Sequence, residues 1–217
     1  MAISKFNYNS FNVTPVAGAA LTFDADADGF STGSSTALTH IKTLSGTNTS
    51  TISFVHGTSD VVLDNTYPVY VFKFFNMHPE TADRQFMFQG SIDTGSNYNV
   101  AMTTTNFYSY YAGGANYFEY TSSEDQAQGT GFQRISTTVR NDNDSACSGE
   151  LFLYGISGTT FVKHFISKVH AYNQDNAAAT AYVAGYFNTT SALDAFQFKQ
   201  RTGNITGSIK LYGIKDS

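Results

Sequence analysis

Short runs of apolar and aromatic residues, each closed by turn chemistry, recur along most of this chain, and that rhythm constrains its fold more than any other feature. Ile52-Ser53-Phe54 alternates, and Tyr70-Val71-Phe72-Lys73-Phe74-Phe75 is nearly continuous, as in a central strand buried on both faces. Gln85 to Gly90 ends at glycine, and Asp93-Thr94-Gly95-Ser96 reads as a turn. Met102 to Tyr111 is β-branched and aromatic until Ala112-Gly113-Gly114 breaks it. Tyr117 to Tyr120 reads as a short strand, and Phe132 to Ile135 resumes the pattern after the polar stretch Ser123 to Gly131. Beyond the loop Asn141 to Ser145, strands are expected at Glu150–Ile156, Phe161–Tyr172, Asp194–Lys199 and Ser208–Ile214. In Ala177–Tyr186 three alanines suit a helix, whereas Thr180, Tyr182, Val183 and Gly185 favour a strand. Strands spaced roughly 10–20 residues apart, without a helical period, predict an all-β chain, an antiparallel jelly-roll-like β-sandwich. One short echo links Leu151-Phe152-Leu153-Tyr154-Gly155-Ile156 with Ile209-Lys210-Leu211-Tyr212-Gly213-Ile214. It reads as two sheet strands of similar composition or as a duplication.

Residues 1–40 differ from the rest. They are rich in Asn, Ala, Asp, Gly and Ser, and only Phe6, Phe11, Val13 and Val16 suggest a strand. The segment is expected to be an extended N-terminal arm, with residues 41–217 forming the β-sandwich domain.

Composition narrows the function. The chain has 217 residues, enough to bury a core without metals or disulfides, and its one cysteine, Cys147, excludes an internal disulfide. Charged residues are only 13%, with 14 Tyr and 19 Phe, so few charges need desolvating at an interface and an assembled state is favoured. The net charge is −5 and no Lys/Arg cluster occurs, so no nucleic-acid partner is expected. The N-terminus lacks a signal-like apolar run, and no stretch approaches the ~18 apolar residues of a spanning helix, so assembly in a cytoplasm without membrane contact is expected.

Few constellations suggest chemistry. Asp24-Ala25-Asp26-Ala27-Asp28-Gly29 resembles the start of a calcium loop, with carboxylates at alternate positions and a glycine for the bend. The position of the closing bidentate glutamate holds Ser35, and an acidic solvent loop is the competing reading of Asp24, Asp26 and Asp28. His40, His56, His78, His164 and His170 show no metal-ligand spacing. Cys147 sits among polar residues and reads as a loop thiol, without a histidine close in sequence. No nucleophile elbow, phosphate loop or dinucleotide fingerprint occurs, so no catalytic residue is named and a non-enzymatic role is expected. A glycosidase would need two carboxylates in one cleft, for which Glu124, Asp125, Asp142 and Asp144 supply loop candidates. Tyr108, Tyr110, Tyr111 and Tyr117 form a Tyr-rich region suited either to stacking on a glycan or protein partner or to core and interface packing.

A set of longer stretches resembles virion-associated structural proteins of marine bacteriophages of the cyanophage and pelagiphage type. They are Phe72 to Pro79, Glu124 to Thr130, Asn141 to Asp144, Ser157 to Ile166, Ala184 to Thr190 and Gly203 to Ile214, in order across roughly residues 41–215. The resemblance implies a particle component and no precise location on the particle; the reading adopted is a capsid-surface decoration or fibre-type protein with other virion proteins as partners, and low charge with aromatic richness points to a homo-oligomer, expected to be a trimer. It carries no catalytic residues. A tail appendage that recognises host-surface glycan and a glycan-degrading enzyme are the alternatives. The arm, outside the resemblance, is expected to dock the protein to the particle. For the acidic motif, calorimetry with millimolar calcium decides: no heat and no shift in melting temperature rejects a calcium loop.

Overall fold

A computed structural model describes residues 20–23, 30–33, 38–173 and 175–215. The chain divides into two units, residues 1–39 and 40–217, which are taken separately. In the first, β1 (Ala20–Phe23) pairs antiparallel with β2 (Phe30–Gly33), with Phe23 opposite Phe30. The acidic motif at 24–29 and the expected strand through Phe6, Phe11, Val13 and Val16 lie outside the described residues.

The second unit is an all-β, antiparallel sandwich of two sheets. Its strands are β3 (Leu38–Thr49), β4 (Ile52–Val55), β5 (Val69–Pro79), β6 (Phe86–Ser91), β7 (Met102–Ala112), β8 (Ala115–Tyr120), β9 (Ala127–Gly129), β10 (Gln133–Arg134), β11 (Cys147–Tyr154), β12 (Lys163–Tyr172), β13 (Ala178–Phe187), β14 (Ala195–Gln200) and β15 (Ile205–Ile214). The small sheet runs β10-β6-β14-β4; the large one runs β3-β15-β5-β11-β12-β13-β7-β8, with β9 also on β7. The ambiguous alanine segment is strand β13: its alternation places Ala179, Ala181 and Val183 in the interior, and β12 and β7 take up its backbone.

Phenylalanine fills the space between the sheets. Phe198 of β14 lies against Phe72 and Phe74 of β5, centroids 4.9 and 5.4 Å away and edge-on. It stacks on Phe86 and Phe88 of β6, its own sheet. Phe88 reaches Phe165 of β12 and Phe187 of β13 at 5.0 and 5.9 Å, again edge-to-face. Aromatic quadrupoles favour these offset geometries over flat sandwiches. The expected two-sided burial of the central strand holds for Tyr70 to Phe72. Lys73 is only half-buried and pairs with Glu150 at 3.6 Å, and Phe75 is exposed beneath Lys210.

The echo strands β11 and β15 flank β5 on opposite sides, with Leu151 and Leu211 both opposite Phe72. The echo itself aligns Leu211 with Leu153, which lies opposite Tyr70, so the two echo strands meet β5 two residues out of step.

The sheets differ in width. At ~4.8 Å per strand, four strands span about 14 Å between outer axes and eight about 34 Å. The large sheet therefore overhangs the small one. Towards that overhang the inward face of β7 turns polar: Thr104 and Asn106 are buried, and the Thr104 hydroxyl donates to Gln133 Oε1 of β10 at 2.8 Å.

Phe198→Ala removes the ring shared by both sheets. The expected loss is about 3–5 kcal/mol in denaturant unfolding, the range for large buried aromatics. A loss under about 1 kcal/mol would show that the core does not depend on this ring.

Candidate aromatic cleft at the sheet edge

A cleft lined by aromatic and polar side chains lies on the inward side of β7 and β8. Gly113 and Gly114, both at positive φ, make the tight two-residue turn, and this sets the register. Tyr110 stands opposite Tyr117, and Tyr108 opposite Glu119. Strand parity puts Asn106, Tyr108 and Tyr110 on one face and Phe107 and Tyr111 on the other. Of the four tyrosines singled out from sequence, the hairpin thus brings Tyr108, Tyr110 and Tyr117 together and turns Tyr111 away, 59% exposed and opposite Asn116.

The three rings form a stepped stack. Tyr110 and Tyr117 lie parallel with centroids 4.5 Å apart, and Tyr108 meets Tyr117 edge-on at 5.9 Å. The Tyr108 hydroxyl donates to Glu119 Oε2 at 3.2 Å, and the Tyr110 hydroxyl to Asp175 Oδ2 at 3.0 Å. Burial, then these carboxylates, push both phenols above their ordinary range, so both remain neutral donors throughout the physiological span.

Beside the stack is a cleft of about 180 Å³. The segment after β8 closes it. Thr121 N–H donates to the Asn106 carbonyl at 2.9 Å, and Arg134 Nη1 donates to Glu124 Oε1 at 2.5 Å. Gln85, Thr137 and Asp175 complete the polar wall. Sequence patterns missed Asn106, Gln85 and Asp175 because segments far apart in the chain supply them.

The other candidates scatter. Asp142 pairs with Arg140 at 2.7 Å, and Asp125 accepts the Tyr120 hydroxyl. The cleft does hold two carboxylates, Glu124 and Asp175, but Glu124 is paired with Arg134 and Asp175 with Tyr110. His56 Nδ1 accepts Leu63 N–H at 3.0 Å, while His78 Nδ1 lies 2.7 Å from the Ser145 carbonyl. Among the described residues, no three His, Cys, Asp or Glu side chains gather to hold a metal. Asp24, Asp26 and Asp28 are outside the described residues.

Cys147 is a correction. It belongs to β11, not to a loop, and is 1% exposed, opposite Ala171 and Met77. Its neighbours Ser145, Ala146, Ser148 and Gly149 look like loop residues, but small side chains are what the β-bulge between Cys147 and Gly149 admits. Burial pushes the thiol up to about 12.

Comparison with protein-family models, curated proteins and solved structures returns no match.

A thiol that is buried and protonated near neutrality is unreactive. In the folded protein at pH 8, a maleimide or disulfide reagent should leave Cys147 unmodified over hours, with one equivalent reacting in denaturant. Rapid labelling of the native protein would place the thiol in an accessible setting.

Proposed function

We propose that this chain is a non-enzymatic structural protein of a phage virion, a capsid-surface decoration or fibre-type component assembled as a closed homo-oligomer, with a trimer the expected order. The resemblance over residues 41–215 motivates the particle setting. The observation that carries the assembly is the outward face of the large sheet.

Register aligns its side chains in two ladders. One runs Ala184, Ile166, Phe152, Val71 and Tyr212 from β13 to β15; the next runs Tyr182, Lys168, Glu150, Lys73 and Lys210. The first is apolar, with Ile166 51% exposed, Ala184, Phe152 and Tyr212 half-buried and Val71 covered within the chain itself; the second sets charges beside it. Tyr154, Phe75 and Phe161 are exposed as well. An apolar ladder on a broad sheet face, edged by polar groups, is the profile of a protein interface. Closed symmetric packing would also limit edge-to-edge growth of the sheets. Two antiparallel sheets packed face to face, the small one over β5, β12, β13 and β7, agree with the sandwich part of the jelly-roll reading.

The alternative, a tail appendage that recognises host-surface glycan, is favoured by the tyrosine stack and its cleft.

In this proposal residues 1–37 dock the protein, because β3 begins at Leu38. Deleting residues 1–37 should leave a folded, oligomeric domain that purified particles fail to incorporate. Ile166→Glu should yield folded monomers by sedimentation. Normal incorporation of the truncated chain would overturn the docking role, a monomeric wild-type protein the assembly, and absence of the full-length chain from particles the virion assignment.

A further inference from the structure

We infer that the cleft beside Tyr117 is a binding site for a neutral saccharide. The inference stands apart from the particle setting, since the isolated chain suffices to test it.

Four oxygens of the cleft's lining residues are buried without a hydrogen-bond partner in the protein: Asn106 Oδ1, Gln85 Oε1, Thr121 Oγ1 and Thr137 Oγ1. Asn106 is 3% exposed and Gln85 8%. Buried polar atoms without partners are uncommon in native proteins, because desolvation is then uncompensated. Four around a single cleft mark a place built to meet a ligand's polar groups.

The chemistry of the lining selects the ligand. Amide carbonyls accept, and threonine hydroxyls donate or accept, so the ligand must bring donors. A sugar hydroxyl does both and satisfies a side-chain amide in either orientation. Fixed charge is not what the cleft has in excess. Glu124 is already paired with Arg134, and Asp175 with the Tyr110 hydroxyl.

The aromatic wall fits the same class. Tyr117 is 44% exposed and lies flat on Tyr110, so a broad π-face borders the polar wall. The negative face of such a ring attracts the polarised C–H groups on one side of a pyranose. The volume, about 180 Å³, equals roughly six waters at ~30 Å³ each and suits a single sugar ring. The Tyr108 and Tyr110 phenols, raised by burial and by their carboxylate partners, stay protonated as donors.

The test uses the full-length chain with glucose, galactose, mannose, N-acetylglucosamine and short oligosaccharides of each, read by saturation-transfer NMR and calorimetry. At least one should show saturated ring protons, with tetramethylammonium not bound. Tyr117→Ala should weaken binding at least about tenfold, and Tyr111→Ala, on the opposite face, by less than about twofold. Asn106→Leu should reduce affinity while the melting temperature holds or rises, because it removes an unpartnered buried amide oxygen. A purely structural amide would leave affinity unchanged. Should Asn106→Leu fail to fold, the contrast between Tyr117→Ala and Tyr111→Ala decides alone. The inference falls if no sugar binds, if the two tyrosine variants lose affinity equally, or if tetramethylammonium binds in place of sugars. Hydrolysis of a bound oligosaccharide would overturn its non-catalytic character.

Discussion

The edge-to-face contact of Phe198 with Phe72 and Phe74 is the joint on which the two sheets turn. It fixes how far apart the sheets sit and which strands lie opposite one another. Because the aromatic layer is centred on β5, β6 and β14, with Phe88 carrying it to β12 and β13, it ends before β7 and β8. The unit cannot continue the same packing across a sheet twice as wide. Beyond the layer the interior becomes Thr104, Asn106 and Gln133, held by hydrogen bonds in place of ring contacts. The cleft is thus a geometric consequence of unequal sheets whose aromatic core covers only the middle strands of the larger one.

The strands were legible in the sequence because their two-residue period is local. Ile52 to Phe54, Gln85 to Gly90, Asp194 to Lys199 and Ser208 to Ile214 each fall within a residue or a few of β4, β6, β14 and β15. Cys147 shows where this fails: a bulged strand start needs small residues, and small polar residues also make loops. The tyrosines were half legible. Parity alone separates Tyr111 from Tyr108 and Tyr110, and the Gly113-Gly114 turn alone pairs Tyr110 with Tyr117. Neither step requires a tertiary structure. Asn106, Gln85 and Asp175 do require one, because their convergence depends on which sheet covers which.

Lys163 begins β12 and is fully buried, while His164, Lys168 and His170 face outward. Its Nζ donates to the carbonyls of Phe161, Thr190 and Thr189 at 2.6, 3.3 and 3.5 Å. Desolvation lowers its pKa, and the carbonyls partly offset the cost of burial. Stability tied to this group would rise with pH between its lowered value and the ordinary lysine range, where the unfolded chain holds the extra proton. The ammonium ties the start of β12 to the 189–190 loop, a task a surface lysine does not perform.

Low charge and abundant aromatics have three separate uses here. Phenylalanine fills the interior, where no hydroxyl needs a partner. The outward face of the large sheet mixes Phe152, Ile166 and Tyr212 with paired charges, which keeps an apolar ladder accessible without leaving it bare. Tyrosine occupies the overhang, where each ring has one apolar face and one hydroxyl to satisfy. That overhang ends in β8, whose six residues are all exposed, an edge that invites pairing with another chain. The carboxylate of Glu119 and the commitment of Tyr117 to Tyr110 oppose such pairing. An edge strand has no further strand to cover it, so the position that exposes β8 also leaves the tyrosine stack open to solvent.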